Sequence, residues 1–300
     1  MADVVAIHGM LMNRRSRAEM AERWHPAMIT GLENVRCDGA QNITIEYAFY
    51  GHLYNDGKAG GGPAYHLSDL EVGLERDLFV AIGAAADDGD DATAPGKVWL
   101  PNVLQRAARR IEASGTLDGP VSRVIRLVKQ VGRYFHDQEF ANRVHAEVDE
   151  AMARKPKVVV AHSLGSVIAY NWLRTQAPGR VPTLVTIGSP LGFRGIRLAL
   201  RSDQGEAPLP WPGVKRWVNV AATEDAIAMV KCLDGMFDGK IHDELASNTR
   251  RHAHSAVKYL ENLNTADAIK KPWLMGSHDP RSVLHIRHLR VSRPPRPEAG

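Results

Sequence analysis

Apolar positions follow two different periods along this chain. Val4-Val5-Ala6-Ile7, Val158-Val159-Val160 and Trp217-Val218-Asn219-Val220-Ala221-Ala222 are short, nearly continuous apolar runs, the pattern of strands buried on both faces. Ile43 to Phe49 alternates instead, predicting another strand. Helical spacing carries Met20, Trp24 and Met28 behind the capping box Ser16-Arg17-Ala18-Glu19. It recurs at Leu70, Leu74, Leu78 and Ile82, in a helix opened by Ser68-Asp69-Leu70-Glu71, and again at Val103, Leu104, Ala107, Ala108 and Ile111. Val121, Val124, Ile125, Val128 and Val131 form an apolar stripe opposite Arg123, Arg126, Lys129 and Arg133, which predicts a basic amphipathic helix. A further helix runs from about Phe140 to Ala153, and the last begins at Ala256. Strands alternating with helices predict an α/β fold with a doubly wound, mostly parallel sheet and helices on both faces. The helical stretch of about 52–137 is then an insertion over the carboxyl ends of the strands, packing on the core or covering a site as a cap.

Where the central valine run stops, Ala161-His162-Ser163-Leu164-Gly165 follows, and Leu164, Val167, Ile168 and Trp172 begin a helix that Ala177-Pro178-Gly179 ends. A serine on a sharp strand-to-helix turn lifts its hydroxyl above the sheet, and small neighbours such as Ala161 and Gly165 leave room for the tight backbone. An activated serine needs a base, an acid to orient the base, and donors for an oxyanion. Thr223-Glu224-Asp225 lies at the end of the Trp217 to Ala222 strand, where open α/β sheets carry reactive groups, and Asp225 is the acid expected, with Glu224 as its alternative. Asp234, Asp238 and Asp243 lie further from the strand end. In Arg251-His252-Ala253-His254-Ser255, His254 is nearest the helix start and is the base expected, ahead of His252 and of His242 in a Lys/Asp-rich loop. His8-Gly9-Met10 follows the first strand. The backbone N–H groups of Met10 and Leu164 are the oxyanion donors expected, worth ~3 kcal/mol each in a transition state.

These residues, with Thr186-Ile187-Gly188-Ser189-Pro190-Leu191-Gly192, resemble the α/β-hydrolase superfamily, in particular its lipase- and esterase-like serine hydrolases of a bacterial branch with no assigned substrate. The resemblance covers residues 3–51 and about 140–265, with Ala161 where that family more often has glycine. It implies a nucleophile at Ser163, an acid at Asp225, a base at His254 and an acyl-enzyme intermediate on an ester substrate, with His8, Gly9, Ala161, His162 and Gly165 supporting the elbow and oxyanion loop. Thioester and amide cleavage or acyl transfer would use the same triad, and a non-catalytic binding module on the same fold is the alternative from another class.

Composition adds limits. With 300 residues, 44% apolar and 24% charged, the chain suits one globular domain over 1–280. Of the formal charge of +4, all is accounted for by residues 281–300, where Arg281, Arg287, Arg290, Arg293 and Arg296 face Glu298 alone. That proline-containing end reads as a solvated tail; it has no aromatic residue to stack on bases, so no nucleic-acid partner is expected. No apolar run approaches the ~18 residues of a membrane span, and no leader precedes the first strand, so a cytoplasmic location is expected. Cys37 and Cys232 are expected to be buried free thiols. Gly60-Gly61-Gly62-Pro63 lacks the Lys-Ser/Thr ending of a phosphate loop, no dinucleotide fingerprint follows a strand, and neither His252-x-His254 nor His285-x-x-His288 has a matching ligand set; no cofactor or metal is expected. The partner expected is a small acyl substrate, and the oligomeric state is left open.

Overall fold

A computed structural model describes residues 2–55, 65–86, 100–114, 121–176, 178–201, 205 and 207–276. The glycine run at 60–63, the acidic stretch 87–91, Ala177, His285, His288 and the basic tail lie outside them. Six strands form one all-parallel sheet: β1 (Val4–Ile7), β2 (Ile45–Ala48), β3 (Val158–His162), β4 (Thr183–Ile187), β5 (Arg216–Ala222) and β6 (Ile241–Ala246). The order across the sheet is β2-β1-β3-β4-β5-β6. Every residue of β1, β3 and β4 is buried, as their apolar runs require of inner parallel strands.

Nine helices accompany the sheet among the described residues: α1 (Arg17–Asn34), α2 (Leu74–Ala85), α3 (Leu100–Ser114), α4 (Val121–His136), α5 (Gln138–Met152), α6 (Leu164–Leu173), α7 (Arg194–Ala199), α8 (Ala256–Glu261) and α9 (Leu263–Gly276). Side chains of β1 alternate between two core clusters, Val5 and Ile7 in one and Val4 and Ala6 in the other. The first cluster takes in Phe79 of α2, Val128 of α4, Val144 of α5 and Trp172 of α6; the second takes in Trp24 of α1, Leu260 of α8 and Ile269 of α9. The capping box is formed, with the Glu19 N–H donating to Ser16 Oγ at 3.1 Å and the Ser16 N–H to the Glu19 carboxylate at 2.6 Å.

Several expectations need correction. The helix expected to open at Ser68 opens at Leu74: Leu67–Asp69 is only a 3₁₀ turn, Leu70 is extended, and Gly73 at φ 95° breaks the path between them. Glu75 stabilises the delayed start by accepting the Glu71 N–H at 2.8 Å. Helix α6 ends at Leu173, ahead of the Pro178-Gly179 pair. His242 sits on strand β6 and not in a loop. Cys37 is buried as expected, but Cys232 is exposed. Among the described residues no helix is long and apolar enough to cross a membrane.

The strand order places the site. From β1 the chain turns to β2 on one side, and later enters β3 on the other, so the order reverses between β1 and β3. Loops leaving adjacent parallel strands in opposite directions open a crevice at their carboxyl ends. Ile7 pairs with Ala161, so the His8-Gly9 loop and Ser163 leave the sheet side by side.

Candidate active site

Ser163 occupies the turn between β3 and α6 with φ 54° and ψ −129°, a conformation an L-residue adopts only under constraint. The constraints are visible. Its N–H donates to Ile187 O at 3.1 Å, and its carbonyl accepts the Ser166 hydroxyl at 2.6 Å and the Ser166 N–H at 2.9 Å. Ser166 Oγ also lies 2.6 Å from Ser189 Oγ, joining the turn to the end of β4. Close packing leaves no room for larger neighbours: a Cβ on Gly165 would lie 2.3 Å from His8 O, and one on Gly9 would lie 2.6 Å from Ser163 Cβ.

The lifted hydroxyl meets His254. Nε2 of that ring is 2.9 Å from Ser163 Oγ, and Nδ1 lies 2.8 and 3.0 Å from the two oxygens of Asp225. A proton on Nδ1 donates to the carboxylate, which leaves Nε2 to accept from the serine. Asp225 is buried after β5, whereas Glu224 is exposed, so Asp225 is the acid that the structure brings to the imidazole. Burial alone would raise the Asp225 pKa, but the adjoining His254 and hydrogen bonds from His254, Tyr259 and the Ile227 N–H hold it below the usual carboxylate value. Tyr259 donates to Asp225 Oδ2 at 2.7 Å while accepting the Ala222 N–H at 2.7 Å, and the Ile227 N–H donates to Oδ1 at 2.9 Å. His242 and His252 are exposed, and Asp243 is occupied by Asn219 and by the N–H groups of Leu233 and Asp234.

His8 and His162 hold backbone rather than the serine. His8 Nε2 accepts the Tyr50 N–H at 3.1 Å and its ring stacks on Tyr50 with centroids 3.9 Å apart, while Nδ1 faces Gly9 O. Tyr50 in turn donates to His8 O. The Gly9 carbonyl is thereby turned toward its own histidine. His162 donates through Nε2 to His254 O at 3.1 Å, fixing the segment that presents the imidazole. Burial pushes His8 down to about 4, and burial followed by the nearby His254 pushes His162 down to about 3, so both rings stay neutral at ordinary pH.

The N–H of Leu164 is at the first position of α6, where no intrahelical acceptor exists. Met10, on the loop after β1, and Ser163 line one cavity of about 270 Å3. Leu11, at φ 64°, is tied by its N–H to Gln130 Oε1 of α4 at 2.9 Å. Val124 and Leu127 of α4 line the same cavity while belonging, with Ile125, Val128 and Val131, to the core.

Sequence reasoning passed over Tyr259, Gln130, Tyr50 and Gly188. Tyr259 looks like one more apolar position of a helix, and Gln130 lies beside a basic face; neither carries a local signal. Gly188 does stand within Thr186 to Gly192, and its φ of 57° lets the backbone pass where a Cβ would be 3.0 Å from Asp225 Oδ2.

A second set of groups, Glu71, Glu75 and His136, brings ligand atoms within 4.8 Å of one another. Lys129 Nζ already lies 3.1 Å from Glu71 and 3.0 Å from Glu75, so an ammonium supplies the positive charge there. Compared with family models, with curated proteins and with solved structures, the chain has no match.

Proposed function

We propose that this protein is a serine hydrolase that cleaves an acyl ester through an acyl-enzyme intermediate, on a doubly wound α/β-hydrolase fold whose helical insertion over about 52–137 caps the site. The observation that carries this reading is the continuous relay from Asp225 through His254 to Ser163, with the serine held at φ 54° on the strand-to-helix turn. His254 Nε2 takes the Ser163 proton as Oγ attacks the acyl carbon. Asp225 holds the tautomer and stabilises the imidazolium. The N–H groups of Met10 and Leu164 receive the negative oxygen of the tetrahedral intermediate. His254 then gives its proton to the leaving alcohol, and water, activated by the same imidazole, releases the acid and restores Ser163. Thioesters and amides would follow the same steps; an ester demands least of the leaving group and is the bond we assign.

The test is hydrolysis of nitrophenyl esters of increasing acyl length. The reading predicts turnover whose kcat/KM rises with added methylenes until the pocket beside Val124 and Leu127 is full. Ser163→Ala and His254→Ala should each lower kcat on the order of 10⁶-fold, and together hardly more, because the two act as one unit. Equal rates in the wild type and both variants would refute it.

A further inference from the structure

The mouth of the serine's cavity is lined by four arginines from three separate parts of the chain: Arg15 ahead of α1 and Arg23 within it, Arg123 on α4, and Arg251 three residues before His254. No aspartate or glutamate lines this cavity among the described residues. Arg15 is paired with Glu19 at 3.5 Å on an open part of the surface, so the effect of that pair is largely screened. The inner wall is different in character, with Val124 and Leu127 among its apolar residues. A neutral ester would gain nothing from such a rim, and bringing four guanidinium groups together has a repulsive cost. A cleft lined by one sign of charge concentrates ligands of the other sign and raises their association rate by ~10 to 10³-fold. Guanidinium forks also match the planar oxygens of carboxylate and phosphate.

We propose that the substrate is a small anionic amphiphile: an acyl ester whose apolar part lies against Val124 and Leu127 and whose carboxylate or phosphate is held at the rim by Arg23 and Arg251. This deepens the serine hydrolase reading and rests on it. The anion is placed on the substrate molecule itself and not on a lipid surface around it.

The experiment compares para-butyryloxyphenylacetate with its N-methylamide, which share the acyl chain and the phenol leaving group and differ in one negative charge. At low ionic strength the anionic ester should have a kcat/KM at least about 10-fold higher, mainly through KM, and the ratio should fall toward one as salt shortens the Debye length. Arg23→Ala with Arg251→Ala should collapse the ratio, whereas Arg154→Ala, which removes the same charge from a surface ion pair with Glu46, should leave the ratio intact. Equal kcat/KM for the two esters at low salt overturns the proposal. So does binding to phosphatidylglycerol but not phosphatidylcholine vesicles without any preference between the soluble esters. If neither ester is cleaved, the hydrolase reading fails; calorimetric binding of both compounds to Ser163→Ala then tests the rim by itself, and equal affinities there overturn the anion preference.

Discussion

Ser163 holds a conformation that costs a non-glycine residue of order 1–3 kcal/mol, and the bonds to Ile187, Ser166 and the β4 end impose it. A glycine there would relieve the strain while removing the hydroxyl. Ser163→Gly should therefore raise the urea midpoint, by about 1 kcal/mol of stability, while leaving the proposed ester hydrolysis at the level of Ser163→Ala. A destabilised Ser163→Gly protein would argue that the turn is not strained. The two neutral histidines make a second residue-level prediction. His8, pushed down to about 4, and His162, pushed down to about 3, bind fewer protons folded than unfolded, where both have ordinary histidine values near 6.5. Their contribution is fully present above about pH 6.5 and is lost as the pH falls toward those folded values. With nearly two protons excluded, stability should fall by about 2 kcal/mol per pH unit between about pH 6 and 4.5, measured as urea midpoints. Asp225, whose folded value lies below 3.8, adds further loss as the pH falls from about 3.8 toward that lower folded value. A flat midpoint from neutrality to pH 5 would mean that these rings are charged in the native state.

Among the elements, α4 joins two functions. Its Val128 and Val131 are buried in the core, its Val124 and Leu127 line the serine's cavity, and its Gln130 side-chain Oε1 accepts the N–H of Leu11 at 2.9 Å. Leu11, at φ 64°, needs that bond to keep the loop from relaxing, and Met10 is its immediate neighbour. On the mechanism proposed above, Gln130 is thus a positioning residue for the loop that carries Met10. Gln130→Ala should lower kcat by about 10- to 100-fold with little change in KM, because an oxyanion donor acts chiefly in the transition state. Gln130→Glu, which retains an acceptor, should recover part of the loss. A rise in KM alone would show that Gln130 shapes the pocket and not the loop. The neighbouring Glu75 and Lys129 pair fixes α4 against α2, where a Cβ on Gly132 would lie 2.0 Å from Glu75 Oε1.

Across the whole molecule, the parts legible in the sequence are those where local pattern and tertiary demand coincide. Val158 to Val160 could only be a buried strand, and Ser-x-Gly between a strand and a helix has few uses, so Ser163, Asp225 and His254 could be named before any contact was known. Strand β4 was harder to read because Thr183 and Thr186 interrupt its apolar run, although every residue of it is buried. Strand β6 is an edge: only Ile241 and Ala246 are buried, and His242, Asp243, Glu244 and Leu245 give it the composition of a loop. Its place in the sheet comes from pairing with β5 along six residues, a partner that periodicity does not reveal. The start of α2 was misread because Gly73, at φ 95°, interrupts a run whose apolar spacing continues through Leu70 and Leu74. Tyr259 escaped for a different reason: its hydroxyl becomes informative only once the chain brings residue 259 to residue 225. Sequence distance hides such partners, whereas the parallel sheet gathers them at the carboxyl ends of β1, β3, β4 and β5.

The central claim is that one serine among all others is activated by an imidazole at hydrogen-bond distance. Incubation with a fluorophosphonate probe, followed by proteolysis and mass mapping, tests it without knowledge of the substrate. The adduct should fall on Ser163 alone, appear at neutral pH, and vanish in both Ser163→Ala and His254→Ala. A folded wild-type protein that takes up no label, or one labelled equally after His254→Ala, would contradict the relay from which the proposed chemistry follows.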